Sequence, residues 1–567
     1  MSTRKNKVTY PLAYNPIMEY WNKIESNDIR VCEKIYKWYK YLSHQVNFPG
    51  EYFYSSKRAN HAIEFAENYC MISKGAGSGG HVRLKLWEKA HLAAVFGFID
   101  INGNRQCREA VLIVAKKNGK SLLASIVGLY MLVGDGEPGP EVYALATKRD
   151  QAKIIWQESK RMVRKSKTLL RRIKPLVAEL SSELYNDGTF KPLASDSDTL
   201  DGLNVHCGLM DEFHQWKNGR PLYDIIADGT TARDQPLIYM TSTAGTIRED
   251  IYDQKYEEAE RVINGLFDEE GYHDVNFFPF IYELDSRKEW VEEDCWIKAN
   301  PSLGDIKKVD ALRKKVEKAK GNQSLIKNLV CKEFNIRETS TESWLTFEQI
   351  DNREKFDVRD LKPRYGIGGC DLSSSIDLTN ATMIFMTPEN EKIYVLQMYW
   401  LPEDLLEQRV KEDKIPYDKW KEQGLLRTCP GNKVHYKYVK EWYEEVQRDM
   451  DIYLFKCGYD AWSANYFVED MANTFGKSVM EPVKQGKQTL SGPMKSLGAD
   501  LTRKIVVYNN NPILKWCLCN TSVDIDKNDN IQPAKGNLGT RRIDGMAGLL
   551  DAYVTLCNHL EEYVSLL

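Results

Sequence analysis

Ala110-Val-Leu-Ile-Val-Ala-Lys-Lys-Asn-Gly-Lys-Ser121 is the stretch whose reading decides the fold. Its first six residues are apolar without a break, as in a strand buried on both faces, and from Leu122 to Leu132 the chain resumes as an apolar helix. A Gly-Lys-Ser turn between strand and helix points backbone N–H groups at the place where β- and γ-phosphate oxygens would sit. Lys120 adds a point charge, the Ser121 hydroxyl suits a Mg²⁺ ligand, and Lys116, Asn118 and Gly119 complete the loop. These residues predict an ATP site. The pattern G-x-x-x-x-G-K-[ST] is incomplete, because Val114 stands where its first glycine belongs. The tripeptide alone fits a surface turn better than a phosphate site; the flanking strand and helix reverse that.

Such a loop needs acids on a neighbouring strand end. Val205-His-Cys-Gly-Leu-Met-Asp-Glu212 supplies them, with Asp211 expected to bind Mg²⁺ through water and Glu212 to orient and deprotonate the attacking water. Pro236-Leu-Ile-Tyr-Met-Thr-Ser-Thr243 ends in hydroxyls able to sense the γ-phosphate. Just upstream, Arg233 has the chemistry of an arginine finger, acting in its own subunit or in a neighbour's.

At 567 residues the chain exceeds what one hydrophobic core supports, so two or more domains are expected. A net charge of −3 announces no polyanion partner, yet a chain-wide sum hides local basic grooves. There is no run of about 18 apolar residues and no apolar segment behind Met1-Ser-Thr-Arg-Lys-Asn-Lys7, which predicts a cytosolic, non-secreted protein without membrane contact. The 12 cysteines include no C-x-x-C pair and read as buried small hydrophobes rather than zinc ligands.

Along the chain, residues 1–75 read as a helical lead-in, and Gly75-Ala-Gly-Ser-Gly-Gly80 as a joint. Strands at 109–115, 141–147, 205–211 and 236–243, alternating with helices at 120–133 and 149–166, predict a parallel sheet covered on both sides. The first domain is set at 76–338, a linker at 339–345, and a second domain at 346–567 with strands at 365–371, 380–386, 392–399 and 453–459 and a late helix.

Trp87-Glu88, Phe96-Gly97, the loop Lys116–Ser121, Ala146-Thr-Lys-Arg-Asp-Gln-Ala152, Leu200-Asp-Gly-Leu-Asn204 running into Asp211-Glu-Phe-His214, and Thr241-Ser-Thr-Ala-Gly245 together resemble the large terminase subunit of tailed bacteriophages. The likeness spans about residues 80 to 557. Terminases commonly replace the first loop glycine and carry an early basic residue, a place Lys116 occupies; Glu88 stands where the family's adenine motif has glutamine. The resemblance implies an α/β chain: a P-loop ATPase domain with a parallel central sheet, then a ribonuclease-H-like α/β nuclease domain.

Two-metal phosphodiester hydrolysis needs carboxylates converging on two Mg²⁺ or Mn²⁺ ions about 4 Å apart. Asp371 ends the strand Tyr365-Gly-Ile-Gly-Gly-Cys-Asp371, Asp460 ends Tyr453-Leu-Phe-Lys-Cys-Gly-Tyr-Asp460, and Asp544 opens an apolar helix, where a carboxylate is also favoured as a cap or by the helix dipole. Asp377 is a further acid near the first; Asp551, one repeat beyond Asp544, reads as structural. Lys484, Lys487, Lys495, Arg541 and Arg542 are candidates for phosphate contacts.

The resemblance implies ATP-driven translocation of double-stranded DNA into a procapsid and cutting of concatemers in the host bacterial cytoplasm. Its implied partners are a small terminase subunit, the portal protein and further copies in a ring. A helicase-like repair ATPase-nuclease, or a non-catalytic DNA-binding descendant, is the competing interpretation.

Overall fold

The strand before the loop, β1 (Glu109–Ile113), lies second from one edge of an eight-stranded sheet in the computed structural model of the chain. The structure describes residues 7–567 except 76, 148, 195–201, 217–218, 246–249, 269–270, 323–324, 338–342, 373–377, 414, 461–464, 527 and 536–541. Asp377, Arg541, Leu200-Asp201 and most of the expected linker therefore lie outside the described residues. The chain divides into two units, Met1–Gly245 with Asp250–Arg337, and Glu338–Leu567.

The first unit's sheet adds β2 (Glu141–Ala146), β3 (Lys174–Pro175), β4 (Leu180–Ser182), β5 (Gly188–Ala194), β6 (Cys207–Asp211), β7 (Leu237–Ser242) and β8 (Phe277–Ile281). Its order is β8-β1-β7-β6-β2-β5-β4-β3. All neighbours from β8 to β5 are parallel, and β4 and β3 turn back antiparallel. Parallel strands put every strand-to-helix turn on one edge, which is where ligands bind in such sheets. Residues of β1, β6 and β7 are almost wholly buried, as their unbroken apolar runs require. The sequence reading missed β8, whose Phe-Phe-Pro-Phe-Ile carries a proline; the strand sits at the sheet edge, where proline costs no ladder bond.

The lead-in forms α1 (Pro16–Glu25), α2 (Glu33–Asn47) and α3 (Ser56–Tyr69), with Asn15 and Ser55 side chains accepting N–H groups of the first turns of α1 and α3. It shares the sheet's core: the Trp38 ring meets Phe278 and Phe280 of β8 at 5.3 and 5.9 Å. Then come α4 (Leu86–Gly97), α5 (Lys120–Val133) and α6 (Arg149–Lys165). After β8, α7 (Val309–Lys320) and α8 (Ile326–Phe334) close a small core of Trp296, Leu312, Val316, Val330 and Phe334 that also takes in Ala115.

The second unit has β9 (Tyr365–Asp371), β10 (Thr379–Thr387), β11 (Asn390–Pro402), β12 (Leu426–Cys429), β13 (Tyr453–Asp460), β14 (Met480–Val483) and β15 (Val506–Val507). Their order is β12-β11-β10-β9-β13-β14, with β15 on β11. The strands β9, β10 and β11 form an antiparallel meander; β13 and β14 continue parallel to β9. A separate hairpin, β16 (Ser522–Ile525) and β17 (Ile531–Ala534), packs beside α9 (Lys487–Thr502). The last long helix, α10 (Asp544–Asn558), lies across β9, β10 and β13.

Candidate active sites

Between β1 and α5 the chain makes the turn its glycine demands. Gly119 has φ 93°, Lys117 also has positive φ, and α5 begins at Lys120. Helical N–H groups of α5 thus open at the C-terminal edge of the parallel strands. Register brings the other residues to the same edge: Asp211 of β6 pairs with Thr241 of β7, and Ser242 with Ile113 of β1. Ser121 Oγ donates to Asp211 Oδ2 at 3.2 Å and Thr241 Oγ1 to Asp211 Oδ1 at 2.7 Å. Lys120 Nζ sits 2.7 Å from Glu212 Oε1.

Glu212 is held in the left-handed region at φ 49° and ψ 38°, a conformation costing a non-glycine residue about 1–3 kcal/mol. That backbone turns its side chain off the strand line to face Lys120, while His214 Nδ1 lies 3.2 Å from its other oxygen and 2.8 Å from Ser242 Oγ. The adjacent acids then differ. Burial, reinforced by the Glu212 charge, raises the Asp211 carboxyl above its ordinary range. Burial pushes Glu212 up as well, but the Lys120 ammonium and His214 outweigh it and hold the carboxyl below its ordinary range. Glu212 therefore stays ionised.

A buried network that sequence reasoning missed supports the loop from behind. Asn118 Nδ2 donates to Ala115 O at 2.9 Å and to Asn300 Oδ1 at 3.0 Å, and Asn118 Oδ1 accepts the Ser302 N–H at 3.1 Å. Two loop amides are also engaged, Ala115 with Ala299 O at 3.3 Å and Lys116 with Lys332 O at 3.2 Å. These partners lie far along the chain, and no periodicity or local motif could have announced them. Glu88 stands against the loop too. Its carboxylate accepts the Lys85 N–H at 2.8 Å, and a methyl group on Gly119 would come within 3.1 Å of its other oxygen. Burial raises this carboxyl to about 7.

Arg233 is not brought to this edge. It precedes β7, so in a parallel sheet it falls at the opposite end of the strands from Lys120, which follows β1. Its guanidinium donates to Pro138 O at 2.8 Å, Gly139 O at 2.7 Å and Asn204 O at 3.1 Å, and pairs with Glu137 at 3.3 Å. Within its own subunit Arg233 is therefore a clamp across the loops that lead into β2, β6 and β7, which leaves a neighbour's site as the place for the finger expected from sequence.

In the second unit, Cys370 of β9 pairs with Tyr459 of β13, so Asp371 and Asp460 end adjacent parallel strands. Side chains alternate, so each aspartate shares a face with the glycine two residues before it. A Cβ on Gly369 would lie 2.2 Å from Gly548 O, and one on Gly458 would lie 2.5 Å from Asp551 O; both contacts are with α10. The glycines let α10 settle directly on the face that carries both acids. Asp544 occupies the first helical position behind the cap Ile543 and is 2% exposed. Burial first, then the charge of Asp544 and, more weakly, that of Asp371 push the Cys517 thiol up. Asp551, read from sequence as structural, is buried with its carboxyl well above its ordinary range, through burial first and the Asp460 charge second; Gln485 Nε2 lies 3.4 Å away.

Among the described residues no three His, Cys, Asp or Glu side chains form a ready metal cage. The donor set nevertheless suits hard divalent cations, since it offers carboxylate oxygens alone, and like charges gathered on one face are what such an ion relieves. Of the basic candidates, Lys487 pairs with Asp524 at 2.9 Å and Lys495 donates to Asp529 O at 2.7 Å, so both hold the β16–β17 hairpin; Lys484 is exposed and Arg542 is buried. No described helix is long and apolar enough to cross a membrane.

Two family models match the chain: terminase large subunit, ATPase domain, over residues 86–261, and terminase large subunit, endonuclease domain, over residues 272–559. The second match begins inside the first unit, since β8 belongs to that unit's sheet. The chain is 26% identical over 497 residues to the "Terminase, large subunit" of Enterobacteria phage HK97, covering 87% of this chain and 94% of that one. It is 22% identical over 507 residues to the "Terminase large subunit" of Lactococcus phage p2, covering 86% and 89%. The crystal structure of the HK97 bacteriophage large terminase aligns over 88% of this chain and 99% of its own, at 24% identity and a TM-score of 0.48.

Proposed function

Because the chain belongs to the terminase large subunit family, with an ATPase and an endonuclease domain, we propose which of its residues carry the two activities. ATP is hydrolysed at the edge of the first sheet. Its N–H groups at the start of α5, with Lys116, Asn118, Gly119 and Lys120, cradle the phosphates. Ser121 and Asp211 would hold Mg²⁺, which when bound supplies charge that stabilises the leaving phosphate. Glu212 orients the attacking water and takes its proton. Phosphate oxygens compete with Glu212 for the Lys120 ammonium, so substrate arrival itself frees the base. Thr241, bonded to Asp211, reports the terminal phosphate to β7.

Cutting belongs to the acids gathered under α10. Asp371, Asp460 and Asp544, joined by Asp551, would hold two Mg²⁺ or Mn²⁺ ions, which when bound activate water and stabilise the departing oxygen. The α10 helix fixes Asp544 and Asp551, and β9 and β13 fix the other two.

The domain assignment follows: residues 76–338 as motor with the lead-in 1–75 packed onto it, 339–345 as linker, and 346–567 as nuclease. Double-stranded DNA is the substrate of both halves. A small terminase subunit, a procapsid portal and a ring of further copies in the host cytoplasm complete the reading.

The observation that carries it is the contact set Lys120–Glu212 and Ser121–Asp211–Thr241 at the end of parallel strands. The test is separation of activities. Lys120→Ala should abolish ATP turnover and spare Mn²⁺-dependent plasmid cutting, and Asp371→Ala should do the reverse. Wild-type activities in both variants would sink the residue assignment.

A further inference from the structure

Lys307 is a buried ammonium in the first unit that the reading above does not use. It follows a tight turn, Ser302 to Lys307, whose Ile306 side chain would lie 3.6 Å from a methyl group placed on Gly119. Its Nζ donates to Asn300 Oδ1 at 2.6 Å, the same oxygen that accepts from Asn118 of the phosphate loop. On its other side it pairs with Glu333 Oε2 of α8 at 2.7 Å, while Lys315 Nζ holds the second Glu333 oxygen at 2.5 Å. Both Lys307 and Glu333 are under a tenth exposed.

Two lysines thus share one carboxylate, which leaves this corner with surplus positive charge next to the loop. An ion pair taken out of water is stable only when its geometry and further hydrogen bonds offset desolvation, and a second cation on the same acid makes that harder. The ammonium's pKa is lowered chiefly by burial; the Glu333 carboxylate opposes this, and the charges of Lys315 and Lys120 add small contributions in the same direction as burial. The hydrogen-bonded relay from Lys307 through Asn300 to Asn118 carries this corner's position to the loop, and an anion held there would relieve its surplus charge. A triphosphate carries more of that charge than a diphosphate.

We propose that Lys307 is a positioning residue of the triphosphate site, fixing Asn118 through Asn300 and adding its charge to the field that receives the terminal phosphates. This rests on Lys116–Ser121 being that site. Nucleotide binding draws Lys307 from Glu333 and so loosens α8, whose Lys332 carbonyl holds the Lys116 amide.

Calorimetric titration of the full chain with ATPγS and with ADP, in Mg²⁺, tests it. Lys307→Met should weaken ATPγS about tenfold, equivalent to about 1.4 kcal/mol, and ADP by about threefold or less. Steady-state turnover should show a raised KM with kcat within about threefold. Unchanged ATPγS affinity, or equal losses for both nucleotides with kcat falling, overturns the proposal and leaves an ordinary structural lysine. Should Lys307→Met fail to fold, Glu333→Gln decides: removing the competing carboxylate should tighten ATPγS, and unchanged or weaker binding overturns the proposal. Lys120→Ala in the same titration separates the two levels. If it binds ATPγS like wild type, the site itself is misassigned; if it loses binding while Lys307→Met does not, only the role of Lys307 falls.

Discussion

At the end of β1, Lys120 faces Glu212, Glu212 faces His214, and Asp211 is fenced by two hydroxyls. At the ends of β9 and β13, by contrast, carboxylates are gathered on one face, and Asp551 is pushed out of its ordinary range partly by Asp460. The first arrangement is neutralised by its own side chains, so it is assembled before substrate arrives. The second concentrates charge of one sign, so its assembly depends on cations brought in from outside. Backbone packing differs as well. A strained turn and long-range hydrogen bonds fix the motor loop, whereas glycines fix the nuclease face by admitting a helix at near-backbone distance.

The comparison breaks most visibly if the two sites are not independent. Lys120→Ala should cut ATP turnover about 10³-fold or more with plasmid cleavage unchanged, and Asp371→Ala should cut cleavage by at least about 10²-fold with turnover unchanged. Either variant losing both activities would contradict a self-contained pair of sites. Next in size is the glycine face. Gly369→Ala and Gly458→Ala each force a methyl group into α10 and should cost stability near the upper end of the ~1–3 kcal/mol typical of overpacking. Calorimetry should show that loss together with lost cutting, and tolerated substitutions would mean that α10 is not seated by these contacts.

A pH dependence distinguishes the motor side. Glu88 titrates near 7 when folded against 4.5 ordinarily, mainly because it is buried, with Asp305 and Glu67 adding to the rise and Lys85 opposing it. The folded chain therefore holds a proton that the unfolded chain releases between those values. Stability from this group is complete below 4.5 and lost as pH climbs through about 7. Glu88→Gln should gain on the order of 2–3 kcal/mol over wild type at pH 8 and nothing at pH 4.5, measured by urea unfolding. Equal stabilities at pH 8 would show the carboxylate to be solvated. Smallest is the cation effect: Mn²⁺ at about thirty times its Kd should stabilise the wild-type nuclease unit by about 2 kcal/mol and an Asp460→Ala variant by much less.

Much of this was legible in the chain. The unbroken apolar runs of β1, β6 and β7, followed by the phosphate loop, the acid pair and the hydroxyls, gave the sheet and its candidate edge, because strand ends in a parallel sheet are fixed by order alone. The same rule separates Arg233 from its own subunit's loop: a residue just before a strand lies at the edge opposite one just after. Asp551 reads as structural because helical spacing marks a face without saying what covers it, and only the fold shows it buried beside the charge of Asp460. Asn300 and Ser302 left no trace, since their partner Asn118 is some 180 residues away and carries no periodic signal, and Lys307 reaches the loop only through Asn300.

That last separation bears on how the protein is made. A nascent chain ending at residue 261, where the ATPase family model stops, already contains the phosphate loop and both of its acids. It lacks β8, the edge strand on β1, and the carbonyls of Ala299 and Lys332 that take the loop's amides. The loop should therefore remain unfinished until the ribosome has delivered the chain through α8, and contacts of such long range are slow to close. Expression fragments cut at 261 should bind nucleotide poorly even if their sheet folds, and fragments cut at 337 should bind it well.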